Sequence, residues 1–367
     1  MNNNNKQILV IADDLTGCGD TAYWVLDKGL SVSIFDLDKL LSLDFIKTDV
    51  LIVNANTRNL TPHKAYLINK SLCIWAKDKN IDFIFKKIDS TLRGNFALES
   101  DALVEIFDLD SLPLLAAYPE YDRKTINGYH YINDVLLENT HFAKDPKHPI
   151  KSSYIPDIIK RSSKFYDKFL IYNAETERDV EQVVNEVILR ASKIRVFVGT
   201  SKFFGEILNK LYGDIDRKKF NKKFKNIIIA AGSCNPVTKM QLDFVYRFFK
   251  TKIIESAEKF VINKKNNIYI IESARERKED YLLDKLCAQV KNMIKSAVDP
   301  LVVFCGGDTS YEICKNIGVK QIDVLDKVDT GIILGRDKYT NIHLLFKSGG
   351  FGPENFLKKV FDKYASL

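Results

Sequence analysis

Short, almost wholly apolar runs recur along the chain, separated by longer segments of helical period, and this alternation leaves few folds open. ILVIA (8–12), SVSIF (31–35), DVLIVNA (49–55), IDFIFKKI (81–88) and LPLLAAY (112–118) have little polar surface to turn to water. Each is expected as a strand buried on both faces. A helix is expected between them from about Thr16 to Lys28, stopped by Gly29. A second should run from the cap and first-turn pair Thr61–Pro62 to about Lys77, and a third over about 96–107. Continuous apolar strands spaced by amphipathic helices stack as a parallel sheet covered on both sides. The fold class expected is therefore α/β.

The rhythm breaks over 119–156, which is rich in Pro, Asp, His, Tyr and Asn and reads as an irregular, functional stretch. It resumes with KFLIYNA (168–174), a helix over 177–192 and IRVFVG (194–199). The polar, basic, aperiodic segment YGDIDRKKFNKKFKN (212–226) then reads as a boundary. After it the pattern restarts with NIIIAAGS (226–233), a helix over about 235–249, strands near KIIES and NIYIIES, and a helix over about 280–297. PLVVFCGGDTS (300–310), another helix, IHLLFKSGGFG (342–352) and a terminal helix complete it. The 367 residues thus divide into two expected three-layer α/β domains with mostly parallel sheets, 1–215 and 216–367.

Charge and composition exclude several functions. Lys and Arg exceed Asp and Glu by seven, yet only 12 of the 55 cations are arginine and the lysines are scattered through every segment. A nucleic-acid protein gathers its cations on one element, so no nucleic-acid partner is expected. The N-terminal segment MNNNNKQILVIADD lacks the features of a secretory signal, and no apolar run approaches the roughly 18 residues of a membrane span. Cys18, Cys73, Cys234, Cys287, Cys305 and Cys314 show no C-x-x-C pair or zinc-finger spacing, so free thiols in the cytoplasm are expected, with no metal site built from them.

Ligands in open α/β sheets collect beyond the carboxyl ends of the strands. After ILVIA come Asp13, Asp14 and Asp20, with glycines between, suited to hydroxyl recognition or to a catalytic base. After IDFIFKKI come Asp89 and Arg93, and after LPLLAAYP comes Arg123. With Arg58 after VNANT, three of the 12 arginines fall just past strands, and a guanidinium offers a carboxylate two parallel donors. A small carboxylate substrate follows. The second half has small-residue turns after strands at 231–234, Gly306-Gly307-Asp308-Thr309-Ser310 and 347–352, which let phosphate oxygens approach backbone N–H groups. None matches G-x-x-x-x-G-K-[ST] or G-x-G-x-x-G, and H-E-x-x-H and G-x-S-x-G are absent.

In order along the chain, IADDLTGCGD (11–20), KKIDSTLRGN (86–95), AYPEYDRKTINGYHYIN (117–133), FAKDPKHPI (142–150), AAGSCNPVTKMQ (230–241), CGGDTS (305–310) and KSGGFG (347–352) resemble the four-carbon acid sugar kinase family, long known as a domain of unknown function. The resemblance implies two α/β domains with the active site in the cleft between them, an N-terminal sugar-acid domain and a C-terminal nucleotide domain. It implies ATP-dependent phosphorylation of threonate, erythronate or 3-oxo-tetronate at the C4 hydroxyl, with ATP and Mg²⁺ as cofactors. Carried over, Asp13, Asp14 and Asp20 face the sugar hydroxyls, with Asp89, Arg93 and Arg123 completing the pocket. Ser233, Ser273, Gly306, Gly307, Asp308, Thr309 and Gly349 contact ATP. The sequence departs from the family where GGDT replaces the usual GGET, where Cys18 replaces Ala, and in a shorter second domain.

On this reading Asp13 or Asp14 is the expected proton acceptor, while Arg93 and Arg123 hold the substrate carboxylate. The rival readings are a non-catalytic sensor of sugar acid and nucleotide, and an Asp-dependent phosphohydrolase. Sheet edges and a helical C-terminus allow a homodimer.

Overall fold

A computed structural model describes residues 7–44, 46–145, 147–190, 195–215, 220–232, 235–249, 252–255, 268–272, 280–347 and 352–366. The chain divides into two units, Met1–Asp216 and Arg217–Leu367.

The first unit begins with strand β1 (Ile8–Ala12), helix α1 (Leu15–Val25), β2 (Val32–Asp36), α2 (Leu37–Leu41), β3 (Val50–Asn54), α3 (Pro62–Asp78), β4 (Phe83–Lys87), α4 (Phe96–Phe107) and β5 (Leu112–Leu115). It continues with β6 (Arg123–Ile126), β7 (Tyr129–Ile132), β8 (Val135–Leu136), α5 (Ile155–Lys160), β9 (Phe169–Ile171), α6 (Glu177–Arg190), β10 (Arg195–Gly199) and α7 (Ser201–Leu211). Seven strands form one parallel sheet in the order β2-β3-β1-β4-β10-β5-β9. Side chains alternate across a strand, so β4 divides its own between the two helical layers. Phe85 packs on Phe203 and Phe204 of α7, with ring centroids 6.0 and 5.0 Å apart. Ile84 enters the opposite core with Leu72 of α3 and Leu103 of α4.

The stretch expected to be irregular holds a separate antiparallel sheet, β6-β7-β8. Its two hairpins each turn through two residues with positive φ, Asn127-Gly128 (49° and 80°) and Asn133-Asp134 (49° and 59°). These are the turn residues that match the twist of paired strands. Asn-Gly was therefore a legible hairpin signal inside a segment whose strands are too short to show a period.

The second unit comprises β11 (Asn226–Ala231), α8 (Pro236–Phe248), β12 (Lys252–Glu255), β13 (Ile268–Glu272), α9 (Asp280–Ser296), β14 (Pro300–Cys305), α10 (Gly307–Ile317), β15 (Gln321–Asp329), β16 (Ile332–Asp337), β17 (His343–Lys347) and α11 (Phe356–Tyr364). Its strands run β12-β13-β11-β14-β17-β16-β15. The first five are parallel, while β16 lies antiparallel to both of its neighbours. Alternation along β11 again serves both layers: Ile227 and Ile229 join Leu242 and Val245 of α8 and Leu357 and Val360 of α11 in one core. Helices α9 and α10 pack together beside the other face. Strands β15 and β16 were not expected, because charged residues interrupt their apolar runs.

Candidate functional site

Register brings the carboxyl ends of four strands of the first unit side by side. Ala12 pairs with Asn54 of β3 and with Lys87 of β4, and Lys87 in turn pairs with Gly199 of β10. Asp13-Asp14, Arg58, Asp89-Ser90 and Ser201 therefore emerge at one edge of the sheet.

Asp13 and Asp14 share one guanidinium. Arg58 Nε and Nη2 donate to the two oxygens of Asp13 at 2.8 and 2.9 Å, and Nη1 donates to Asp14 Oδ2 at 2.6 Å. Asp14 is also the cap of α1, accepting from Gly17 N at 2.7 Å and from the Thr16 hydroxyl at 2.7 Å. Burial pushes the Asp13 carboxyl up, but the Arg58 charge and hydrogen bonds, with Lys86 and Lys87 behind them, hold it below the ordinary carboxylate value. Two close approaches depend on glycine. A Cβ on Gly17 would stand 2.8 Å from Asp14 Oδ1. One on Gly94, where φ is +89°, would stand 3.2 Å from Arg58 Cγ.

Asp89 pairs with Arg93, whose Nε lies 2.7 Å from Asp89 Oδ2, and accepts from the Thr91 hydroxyl. Burial raises the Asp89 carboxyl, and Arg93 and Arg58 more than reverse it, leaving it well below its ordinary value. Arg93 also donates to Asp145 Oδ2 at 3.2 Å and lies 5.1 Å from the centre of the Phe142 ring. Arg123, at the start of β6, donates from Nη1 to the Ser90 hydroxyl at 2.7 Å. Ser90 is held from the other side by His130, whose Nε2 lies 2.9 Å from the Ser90 carbonyl oxygen. That carbonyl can only accept, so Nε2 carries the proton and Nδ1 accepts from the Thr125 hydroxyl 3.1 Å away. Burial pushes His130 down to about 4, which keeps this tautomer uncharged.

Asp20 lies on the second turn of α1. Its Oδ2 accepts from the Ser201 hydroxyl at 2.5 Å and stands 3.8 Å from Lys87 Nζ, while its Oδ1 is buried with no hydrogen-bond partner. Burial dominates and raises its carboxyl, against the pull of Lys87, Ser201 and Arg123. Lys86 points to the other side of the sheet, into a fully buried pair with Glu99 of α4 at 2.7 Å.

The structure thus gathers Asp13, Asp14, Asp20, Arg58, Asp89, Arg93 and Arg123 around the strand ends, but redistributes their expected work. Asp13 and Asp14, expected as proton acceptors, are engaged by Arg58; a carboxylate so paired is a poor base because the cation favours its charged form. Arg58, expected to seek a substrate carboxylate, meets two carboxylates of its own chain, and Arg93 likewise meets Asp89 and Asp145. Lys86, Lys87, Asp145 and Ser201 were not expected at this edge. Two lysines inside an otherwise apolar strand were the visible signal for the first two.

In the second unit Ala231, Cys305 and Lys347 lie in register on adjacent strands, so the three small-residue turns follow neighbouring strand ends. Gly306 caps α10 with φ +118°, and Gly306, Gly307, Asp308 and Thr309 form the cap and first turn. Asp308 is exposed there, Thr309 is buried, and a Cβ on Gly232 would stand 2.4 Å from Thr309 Oγ1. Ser233, Ser273 and Gly349 lie outside the described residues. Among the described residues no three His, Cys, Asp or Glu side chains are placed to share an ion, and no helix is long and apolar enough to cross a membrane.

Residues 8–198 match the sugar-binding N-terminal domain family, and residues 253–357 match the nucleotide-binding C-terminal domain family. The chain is 23% identical to a D-threonate kinase of Salmonella typhimurium, over 96% of each chain. It is also 23% identical to a 3-oxo-tetronate kinase of Haemophilus influenzae, over 95% of this chain and 98% of that one. A solved structure from Salmonella typhimurium LT2, 17% identical, superposes with a TM-score of 0.84 over 98% of this chain and 99% of that one. That likeness establishes the fold.

Proposed function

Because the chain belongs to the four-carbon acid sugar kinase family, we propose that it transfers the γ-phosphoryl group of ATP to the C4 hydroxyl of a four-carbon sugar acid: threonate, erythronate or 3-oxo-tetronate. The observation that carries this reading is the cluster of guanidinium and carboxylate groups at the ends of β1, β3 and β4, in the unit that matches the sugar-binding family. A short polyhydroxy acid needs both kinds of group. Cationic forks grip its carboxylate, and anionic acceptors take its hydroxyl protons as hydrogen bonds.

Arg123 and the Nη2 group of Arg93, which its bonds to Asp89 and Asp145 do not use, are proposed for the substrate carboxylate. The Asp13–Arg58–Asp14 cluster is a rigid wall that offers its remaining lone pairs to hydroxyls. The Gly306–Thr309 turn, with Ser233, Ser273 and Gly349, is proposed to hold the nucleotide, its backbone N–H groups meeting phosphate oxygens. Phosphoryl transfer relies on alignment and on neutralising charge more than on covalent chemistry, which suits a site made of fixed ion pairs. Mg²⁺ bound with ATP would supply part of that neutralisation. Mg²⁺ in phosphoryl-transfer sites keeps several waters and is held through substrate phosphates with one or two carboxylates.

The test is release of ADP on addition of D- and L-threonate, D- and L-erythronate and the 3-oxo acids. Turnover with one of them and phosphate found on O4 is the expected result. Absence of ADP with every acid would overturn the substrate class.

A further inference from the structure

We propose that Asp20 is the catalytic base of this reaction, with Ser201 and Lys87 as its positioning residues; the inference rests on the kinase reading above. Asp13 has both oxygens on Arg58. Asp14 has one oxygen on the backbone of α1 and the other on Thr16 and Arg58. Asp89 accepts from Arg93 and Thr91 through Oδ2, and against its burial Arg93 and Arg58 hold its carboxyl well below the ordinary value, which makes it a poor base. Asp20 differs from all three: one of its oxygens is buried and meets no donor. Such an atom costs free energy unless something donates to it, and a substrate hydroxyl is a donor. The side chain as a whole keeps 19% of its surface exposed.

The surroundings hold the group in place without quenching it. Ser201, in the first turn of α7, fixes Oδ2 at 2.5 Å. Lys87 of β4 stands 3.8 Å off, beyond a direct hydrogen bond, and Arg123 of β6, Asp14 at the start of α1 and Tyr118 also face it. Burial raises its proton affinity, whereas Asp13 and Asp89 are shifted the other way. In the step, the O4–H proton passes to the Asp20 carboxylate as O4 forms its bond to the γ-phosphorus. The bond from that phosphorus to the β,γ-bridging oxygen breaks, and ADP leaves with the electron pair.

The experiment measures kcat and both KM values for wild type, Asp20→Asn, Asp20→Glu and Ser201→Ala, with pH profiles of kcat and a melting curve for each. Asp20→Asn is expected to lose roughly 10²- to 10⁴-fold in kcat, with both KM values little changed, and Asp20→Glu to recover part of the loss. The Ser201 hydroxyl favours the ionised carboxylate, so its removal should move the acid limb of the profile to higher pH. Near-normal kcat in Asp20→Asn overturns the proposal, as does a limb that stays put in Ser201→Ala. If Asp20→Asn does not fold, the Ser201→Ala profile decides alone. An inactive wild type with every acid overturns the kinase reading itself and the assignment with it, a result distinct from an active wild type with an active Asp20→Asn.

Discussion

Asp13 meets Arg58 through both of its oxygens, at 2.8 and 2.9 Å, across 45 positions of sequence. Both side chains are largely buried, and Asp14 leans on the same guanidinium. The pair ties the end of β1 to the loop after β3.

Removing the cation should therefore cost more than a surface ion pair would. Arg58→Ala strands two carboxylates that are mostly out of water, and a loss of about 3–5 kcal/mol is expected from urea unfolding. Arg58→Lys keeps the charge without the fork and should fall between. Equal stability for wild type and Arg58→Ala would mean that the pair is idle.

Gly94→Ala should destabilise by roughly 1–2 kcal/mol for the left-handed backbone alone. The new methyl would also press on Arg58 from 3.2 Å, so the KM for the sugar acid should rise while that for ATP holds. A melting temperature and acid KM both like wild type would contradict this.

Acid should weaken the fold in two stages. An unfolded histidine takes a proton near 6.5, whereas burial brings His130 and His343 down to about 4 in the folded chain. Between those values the unfolded state binds more protons, so stability falls as pH falls. Asp13 and Asp89, depressed by their arginines, contribute stability that is present above the ordinary value of 3.8 and lost as pH drops below it. Urea midpoints at pH 7, 5.5 and 4.5 check the first stage. His130→Asn should show a shallower slope, and a flat wild-type profile would refute the assignment.

Gly232→Ala probes the other unit. Its methyl would collide with Thr309 at 2.4 Å and push the Gly306–Thr309 turn. An ATP KM raised about tenfold, equivalent to ~1.4 kcal/mol, with the acid KM unchanged is the expected kinetic signature. A change in the acid KM instead would argue against nucleotide binding at that turn.

Cys18, Cys73, Cys287, Cys305 and Cys314 are free and buried, and burial raises all five thiols. Alkylation of the native protein at pH 8, read by peptide mass spectrometry, should leave these five unmodified until denaturant is added. Rapid labelling of Cys18 would show that the turn after β1 opens readily.

Much of this was legible in one dimension because its causes are local or periodic. Apolar runs such as ILVIA and DVLIVNA became the strands that the α/β reading required, since a strand buried on both faces has no other composition available. Thr61–Pro62 opens α3, and Gly29 closes the turn after α1 with φ +70°. The hairpins at Asn127-Gly128 and Asn133-Asp134 escaped because their strands are only two to four residues long. The β15–β16 pair escaped because charged residues interrupt its apolar runs.

The residues at the strand ends were likewise named by position, because parallel strands deliver whatever follows them to one edge. Their roles could not be. Asp13, Asp14, Asp20 and Asp89 look alike in sequence, and what separates them is their partners: Arg58 lies 45 and 44 positions from Asp13 and Asp14, Ser201 lies 181 from Asp20, and Arg93 lies 4 from Asp89. Arg58 takes the first two and Arg93 the last, while Asp20 is left with a serine hydroxyl and a lysine beyond bonding distance. The sequence by itself determined the layers, the alternation and the edge where charge collects, since these follow from periodicity and local turn chemistry. Only the tertiary structure decided which carboxylate is neutralised and which keeps an unmet oxygen, because ion pairing and desolvation depend on distance in space rather than along the chain.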